Sequence, residues 1–410
     1  MHDRLGADQR RPPRTLIIVE NLPVPFDTRV WNEAKTLAAA GCQVSVICPM
    51  GKGWTRRHET IDGIAIYRHR LPQGSGKLAY LIEYAAALIF EFGLACWVYW
   101  RRGFDVIHGC SPPDTIFLVA GVFKLLFGTR YVFDHHDASP EFFIAKFDRG
   151  SVLRRMLLSL ERWSFTTADA VISTNGSYRR LALERGRVHA SKVFVVRSGP
   201  TPERMRIGPP NPALRKGRRH LVAYLGLISE QEGIDLLLHS VHRIVRKHGR
   251  KDVHFGIVGG GPALNAMRAL RDALALDDYV TFTGRASDED MLAMLNTADL
   301  CVNPDRVNAY TTICTMNKVM EYMALAKPIV QFESVEGRVS AGAAAAYAKP
   351  NDSADLADQI LALLDDPERR RTMARIGYER IQTELSWEHQ AVHLLSAYRT
   401  ALARPVAWAS

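Results

Sequence analysis

The sequence predicts an α/β protein made of two doubly wound, parallel-sheet halves. Short apolar runs of strand length alternate with stretches of helical periodicity along most of the chain. That alternation builds parallel sheets, because each parallel connection needs a crossover, usually a helix. The runs fall into two series, separated by a Pro-, Gly- and Arg-rich stretch near 200–218. At 410 residues the chain has the length of two domains of about 200 residues each.

In the first series, RTLIIVE (14–20) is continuously apolar, as a strand covered on both faces should be. TRVWNEAKTLAAAG (28–41) reads as a helix stopped by Gly41, and CQVSVICP (42–49) as the next strand. IDGIAIYRHR (61–70) alternates and reads as a β-segment. FDVIHGCSP (104–112), TRYVFDHHD (129–137), DAVISTNG (169–176) and KVFVVRSGP (192–200) complete the series, each ending in a polar or Gly-rich loop. The second series contains HLVAYLGLIS (220–229), VHFGIVGGGP (253–262), YVTFTGRAS (279–287), DLCVNPD (299–305), KPIVQFE (327–333) and AAAAYAKP (343–350). Helices separate most of these runs, among them 233–249 and 288–298. The expected organisation is a disordered tail (1–13), domains at 14–205 and 206–386, and a C-terminal segment at 387–410. The tail, MHDRLGADQRRPPR, lacks the apolar core of a signal peptide.

Residues 1–200 carry 27 Lys+Arg against 18 Asp+Glu, so nearly all of the net charge of +10 lies in the first half. Nucleic acid, an anionic membrane or a phosphorylated ligand would each suit such a half. No zinc-finger spacing or RNP-type strand points to nucleic acid. The six cysteines make no C-x-x-C pair, so neither a zinc site nor a disulfide framework is expected, and a reducing cytoplasm fits. LAYLIEYAAALIFEFGLACWVYWRRG (78–103) is long enough to span a bilayer but holds Glu83 and Glu91. Each acid would cost about 2.5–3.5 kcal/mol at a bilayer centre. A buried helix, an interfacial helix and a span stand as alternatives, in that order. The terminal Trp97, Tyr99 and Trp100 followed by two arginines suit an interface.

Ligands of doubly wound sheets bind beyond the carboxyl ends of strands, so the residues there are the candidates. Gly259-Gly260-Gly261 follows a strand and admits close backbone approach by a ligand, or simply makes a tight turn. Gly226 ends the first strand of the second half and suits the same part. Thr315, Met316 and Asn317 precede or open an apolar helix whose free N–H groups suit a phosphate. Glu321 lies one turn inside it, either as a dipole partner or as an acceptor for paired ribose hydroxyls. Asp288-Glu289-Asp290 has metal-binding D-x-D spacing, but after Ser287 it reads better as a capped, acidic first turn. No G-x-G-x-x-G follows the first strand, so a dinucleotide-binding fingerprint is missing.

MNKVMEYMALAKPIV (316–330) resembles the nucleotide-binding helix of glycosyltransferase family 4, whose two Rossmann-like domains form the GT-B fold. The likeness extends in order and spacing to VENLPVPFDTRVWNEAKTLAAAGCQVSVICP, FDVIHGCSPPD, FDHHDASPE, YLGLISEQEGIDLLL, IVGGGPAL, FTGRASDEDMLAMLNTADLCVNPD and SWEHQAVHLLSAYR. The resemblance implies two doubly wound domains facing across a cleft. The first would bind an acceptor and dock on the membrane, and the second would hold a nucleoside-diphosphate sugar. The last helix would cross back to the first domain. It further implies retaining sugar transfer without a metal or resident cofactor, onto lipid-linked saccharide or polysaccharide acceptors, at the inner face of the cytoplasmic membrane.

The resemblance assigns roles unevenly. Glu321 matches the second glutamate of the E-x7-E motif, whereas the first position holds Ile313. The Arg and Lys that usually grip the donor diphosphate are replaced in GLISEQEGID, where Ser229 and Glu232 stand near their places. Arg285, Lys318 and Arg197 are the substitutes to test. A His in the loop after YVFDHHD faces the reacting sugar in that family. Neighbouring strand residues point opposite ways, which favours His136 over His135. Asp27 either binds acceptor hydroxyls or caps the helix after it. The family's Gly-Gly pair in this first loop is replaced by Leu22-Pro23-Val24-Pro25. A catalytically silent homologue, acting as a nucleotide-sugar or membrane-bound partner module, is the rival reading.

Overall fold

The computed structural model describes residues 11–71, 77–147 and 151–403. The two series of apolar runs become two separate sheets. The chain divides into one unit up to Ser198 and from Gln390 onward, and a second unit from Gly199 to His389.

The strands of the first unit are β1 (Arg14–Val19), β2 (Gln43–Pro49), β3 (His58–Ile61), β4 (Ile64–His69), β5 (Val106–Cys110), β6 (Arg130–His135), β7 (Ala170–Ser173) and β8 (Val193–Val195). Its helices are α1 (Thr28–Ala39), α2 (Lys77–Arg101), α3 (Ile116–Phe127), α4 (Ser139–Phe147), α5 (Ser151–Thr167) and α6 (Gly176–Glu184). The sheet order is β3-β4-β2-β1-β5-β6-β7-β8, parallel except for the β3–β4 hairpin. The strand order reverses between β1 and β5, which pair from Thr15↔Val106 to Val19↔Cys110. Such a switch point opens a crevice beyond the strand ends. One face of the sheet is packed by Ile107, Phe117, Phe123, Phe133 and Phe165.

The second unit holds β9 (His220–Leu225), β10 (Val253–Val258), β11 (Val280–Gly284), β12 (Leu300–Asn303), β13 (Ile329–Phe332) and β14 (Ala345–Ala348). Its helices are α7 (Ile234–His242), α8 (Leu264–Ala273), α9 (Asp288–Thr297), α10 (Asn317–Ala324), α11 (Val335–Ala341), α12 (Ser353–Leu364) and α13 (Pro367–Arg380). α14 (Trp387–Leu402) follows as the last described helix. The order β11-β10-β9-β12-β13-β14 is fully parallel, with its switch point between β9 and β12. Apolar clusters cover both faces, one around Phe255 and Ile360, the other around Met294 and Met320. That two-sided burial explains the continuous apolar runs.

Several expectations are corrected. The β-segment read at 61–70 is present as β4, but it pairs in a hairpin with β3, which the sequence reading did not include, through a turn at Asp62 and Gly63, both at positive φ. The helix expected over 233–249 ends at His242 and continues as a π-helical turn over 243–247. Met205, within the 14–205 range expected for the first domain, packs into the second unit's core beside Leu221 and Met320. Residues 1–10 of the expected tail lie outside the described residues, but Pro13 already accepts a hydrogen bond from the Gln43 N–H (2.8 Å). Among the described residues, no helix is long and apolar enough to cross a membrane. Glu91 of α2 points inward and is fully buried. Burial pushes its carboxyl up to about 8, and burial together with Glu91 and Glu83 pushes nearby Glu20 up to about 10.

Candidate functional site

In the second unit the loops after β9, β10 and β11 are knitted together by their backbones. The Gly226 N–H donates to Val258 O, Gly259 N–H to Gly284 O, and Ile228 N–H to Gly260 O, each at 3.0 Å. Gly259 has φ +143°, and a Cβ there would collide with the Gly226 carbonyl; one on Gly261 would collide with the Ile228 backbone. Only Gly260 has room, its nearest neighbour being the Arg285 backbone at 3.5 Å. Two of the three glycines therefore serve the close approach of the loops. Arg285 lies beside Gly260 and is exposed.

Lys318, the second residue of α10, comes to the same strand ends. Its Nζ is 2.7 Å from Asp305 Oδ1, 2.8 Å from Glu232 Oε2 and 3.2 Å from the Tyr224 hydroxyl. A Cβ on Gly226 would sit 3.2 Å from that Nζ. Burial opposes the ammonium, yet Asp305, Tyr224 and Glu232 outweigh it and hold Lys318 well above its ordinary range. Burial pushes Asp305 up to about 7, with Lys318 pulling down and Glu232 pushing further up. Two carboxylates thus share one ammonium. The cation missing at Glu232 is supplied to that carboxylate from another element, which spacing alone did not reveal.

α10 begins without a side-chain cap: Met316 is extended, Asn317 is exposed and Thr315 is half-buried. Glu321, almost one turn further than Lys318 on the helix, accepts a 2.6 Å charged hydrogen bond from Arg204 Nη1. Ile313 lies in a 3-10 turn just before this helix. Ser287 caps α9 by accepting from the Asp290 N–H, which absorbs the D-x-D spacing into helix capping.

In the first unit a buried polar network occupies the carboxyl ends of β5 and β6. Its centre is Asp134. Arg29 Nη2 lies 3.0 Å from Asp134 Oδ1 and 3.1 Å from Glu33 Oε1. His108 Nε2 is 3.3 Å from Asp134 Oδ2, and its Nδ1 is 2.9 Å from the Tyr398 hydroxyl of α14. His136 Nε2 lies 2.5 Å from Asp134 Oδ2, and its N–H donates to Ser111 Oγ (3.1 Å). Against the cost of burial, Arg29 and the two histidines hold Asp134 well below the usual carboxylate range. His135 points the other way, among Phe133, Phe165 and Tyr178, and burial lowers it to about 3.

Asp27 caps α1, its Oδ1 accepting from the Val30 N–H (3.1 Å). Arg197 is buried in the first unit, its N–H donating to Gln390 Oε1 (3.1 Å). Glu33, His108, Cys110 and Asp134 place metal-type ligand atoms within 4.8 Å of one another, but the Arg29 guanidinium already sits on both carboxylates. Sequence reasoning passed over Arg29, Glu33, His108 and Asp134. The signal available was the i, i+4 charge pair Arg29–Glu33 on a helix face that the apolar pattern buries.

Two parallel sheets, each with polar groups gathered at its switch point, define the GT-B class of glycosyltransferase. Residues 219–366 match the family model described as glycosyl transferases group 1, and residues 27–199 the glycosyl transferase 4-like domain. The chain belongs to this glycosyltransferase family. It is 31% identical over 158 residues to the alpha-D-kanosaminyltransferase of Streptomyces kanamyceticus, covering 38% of this chain and 39% of that protein. It is 27% identical over 191 residues to the D-inositol 3-phosphate glycosyltransferase of Nocardia farcinica, covering 44% and 41%. The chain therefore aligns with about two fifths of the length of these curated relatives.

Among solved structures it is similar to sucrose-phosphate synthase of Thermosynechococcus elongatus (TM-score 0.76, 20% identity, 94% of this chain and 98% of that one). It is also similar to Anabaena HepE in complex with UDP and glucose (TM-score 0.70, 15% identity, 94% and 99%). At those identities the likeness establishes the fold.

Proposed function

We propose that the chain transfers a sugar from a nucleoside-diphosphate donor to a lipid-linked or polysaccharide acceptor, with retention of anomeric configuration, at the cytoplasmic face of a membrane. The observation that carries the reading is Lys318. The helix holding Glu321 sets the Lys318 ammonium beside Gly226, at the strand ends where the resemblance puts the donor diphosphate, and a diphosphate bound there competes with Glu232 and Asp305 for it. The uncapped start of α10 adds backbone N–H groups suited to the same anion. Arg285 beside Gly260 is a further cation for it. HepE, a fold neighbour, is described with UDP and glucose bound, which supports a nucleotide-sugar donor here.

In such a transfer the acceptor oxygen attacks from the side of the departing diphosphate, whose phosphate takes the proton. The protein then needs no strong base of its own. It positions both reactants and stabilises charge on the leaving group. His136, held by Asp134 and Ser111, orients sugar or acceptor hydroxyls by hydrogen bonding. The donor is a substrate, and the chemistry calls for no resident cofactor.

The test is a thermal-shift screen of nucleotide sugars followed by transfer and hydrolysis assays on the stabilising donor. The expected result is nucleotide-induced stabilisation, lost in Glu321→Gln and reduced at least about tenfold in affinity in Lys318→Met. NMR of the product should show the donor's anomeric configuration. Near-normal donor affinity and turnover in Glu321→Gln would reject the ribose assignment. Stabilisation without transfer or hydrolysis would select the catalytically silent partner module, a reading favoured by one observation: Arg204 already occupies Glu321.

A further inference from the structure

α2, α3 and α5 lie side by side in the first unit, joined by ring contacts of Phe92 with Phe123, Tyr99 with Phe127 and Phe117 with Trp163. Their outward faces are strongly apolar. Ile89 is 71% exposed and Trp100 89% on α2, Leu125 85% on α3, and Leu126, Val152 and Trp163 are also exposed. A contiguous exposed apolar surface of this kind marks an interaction site.

Its charge is one-sided. The carboxylates of these helices are Glu83, Glu91 and Glu161. Glu91 and Glu161 are buried, and Glu83 is half-buried. Arg102, Arg154, Arg155 and Arg162 are exposed, and Arg101 lies over the Trp97 ring at 5.2 Å. Aromatic and aliphatic side chains flanked by cations and free of exposed acids complement an anionic bilayer surface. A water-soluble partner would require neither the aromatic edge nor the missing acids.

An apolar cavity of about 260 Å³ lies between α2, α4 and α5, lined by Leu88, Phe143, Met156, Leu157 and Leu160, with Asp114 as its carboxyl group. Met156 is also exposed, so the cavity adjoins the outer face. At the other end, Asp114 follows Ser111 in the loop after β5, and Ser111 holds the His136 N–H. A chain in this cavity would therefore leave its head group near the strand ends. Asp114 is buried, and burial together with the neighbouring Glu161 raises its carboxyl toward the neutral form against the pull of the Ser139 hydroxyl.

We propose that the α2–α3–α5 face seats the protein on an anionic bilayer and that the cavity beside it receives the hydrocarbon chain of a lipid-linked acceptor. The proposal rests on the glycosyltransferase reading for the word acceptor; the docking face stands without it.

The experiment is sedimentation of the full chain with phosphatidylcholine vesicles, with and without phosphatidylglycerol, at low and high salt. Binding should require the anionic lipid and weaken at least about tenfold at high salt. Trp100→Ser with Leu125→Ser, and separately Arg154→Glu with Arg155→Glu, should each weaken it by a similar factor. All these side chains are exposed, so folding is preserved. Nucleotide-induced thermal stabilisation should be unchanged in these variants, which separates failure of docking from failure of the donor reading.

For the cavity, a diazirine-bearing long-chain alkyl phosphate should label Met156 or Leu157. Ala85→Trp, at an exposed rim position, should abolish the label while vesicle binding persists. Equal binding to neutral vesicles, no vesicle binding, or a concentration-dependent dimer broken by the Trp100 and Leu125 changes would overturn the docking face. Labelling that Ala85→Trp leaves intact would overturn the cavity assignment.

Discussion

Glu91 sits in the long apolar helix α2 with both carboxylate oxygens buried and without a hydrogen-bond partner among the described residues. Burial alone moves it up to about 8 from an unfolded value of 4.5. A carboxyl raised on folding binds its proton more tightly in the native state. Its stabilisation is therefore complete below about pH 4.5 and is lost as pH rises through about 8. Glu91→Gln should flatten that decline by about 3–4 kcal/mol between pH 5 and pH 8, given about 1.4 kcal/mol per pKa unit. Urea midpoints of both proteins at the two pH values check it. Parallel pH slopes would show that Glu91 is already ionised in the folded chain. At this scale the sequence was informative about direction and poor about partners. The strand pleat sent His135 inward and His136 toward Asp134, as alternation demands. The ion pairs Lys318–Glu232 and Arg204–Glu321 join residues 86 and 117 positions apart, and no local pattern encodes such a meeting.

Element boundaries followed from burial and turn chemistry. Parallel strands covered on both faces read as uninterrupted apolar runs, so most were legible, β9 to β14 among them. The edge hairpin was missed because β3 is the short polar segment HETI, half exposed, with no run to betray it. The Asp62-Gly63 pair that turns it was the available signal. The glycine loop after β10 left ligand approach and a tight turn open in the sequence, and the structure adds that two of its three glycines meet the backbone of the neighbouring loop. This yields an asymmetric prediction. Gly261→Ala forces a Cβ into the Ile228 backbone and should cost about 1–3 kcal/mol of stability as overpacking. Gly260→Ala meets nothing closer than 3.5 Å and should fold as the parent does. If a donor phosphate approaches this loop, Gly260→Ala should weaken nucleotide-induced stabilisation all the same. Thermal melts of the two variants, with and without nucleotide, read both effects; equal melting temperatures for the two would refute the packing argument.

For the whole molecule, the two-sheet plan was legible because composition and periodicity repeat, whereas the point where the chain leaves one unit was not. Met205 and Arg204 belong with the second unit through side-chain contacts that the Pro- and Arg-rich linker composition conceals. The return of the C-terminus was expected only from the family resemblance. Structurally, α14 closes the first unit from Gln390 onward: Leu394, Ala397 and Tyr398 are fully buried, and the Tyr398 hydroxyl meets His108. Each large side chain removed from such a position forfeits about 1.5–3 kcal/mol of burial, and the His108 ring loses a buried hydrogen-bond partner. Ending the chain after His389 should therefore unravel the first unit while the second, whose strands run from His220 to Ala348, keeps its core intact. Hydrogen exchange should show lost protection in β1, β5 and β6, with β9, β10 and β12 protected as before. Nucleotide-induced protection around α10 should survive the truncation, because Lys318, Glu232, Asp305 and Glu321 all lie within the second unit. Uniform loss of protection across both sheets would instead make the chain a single cooperative body, and the division at Ser198 would then have no energetic meaning.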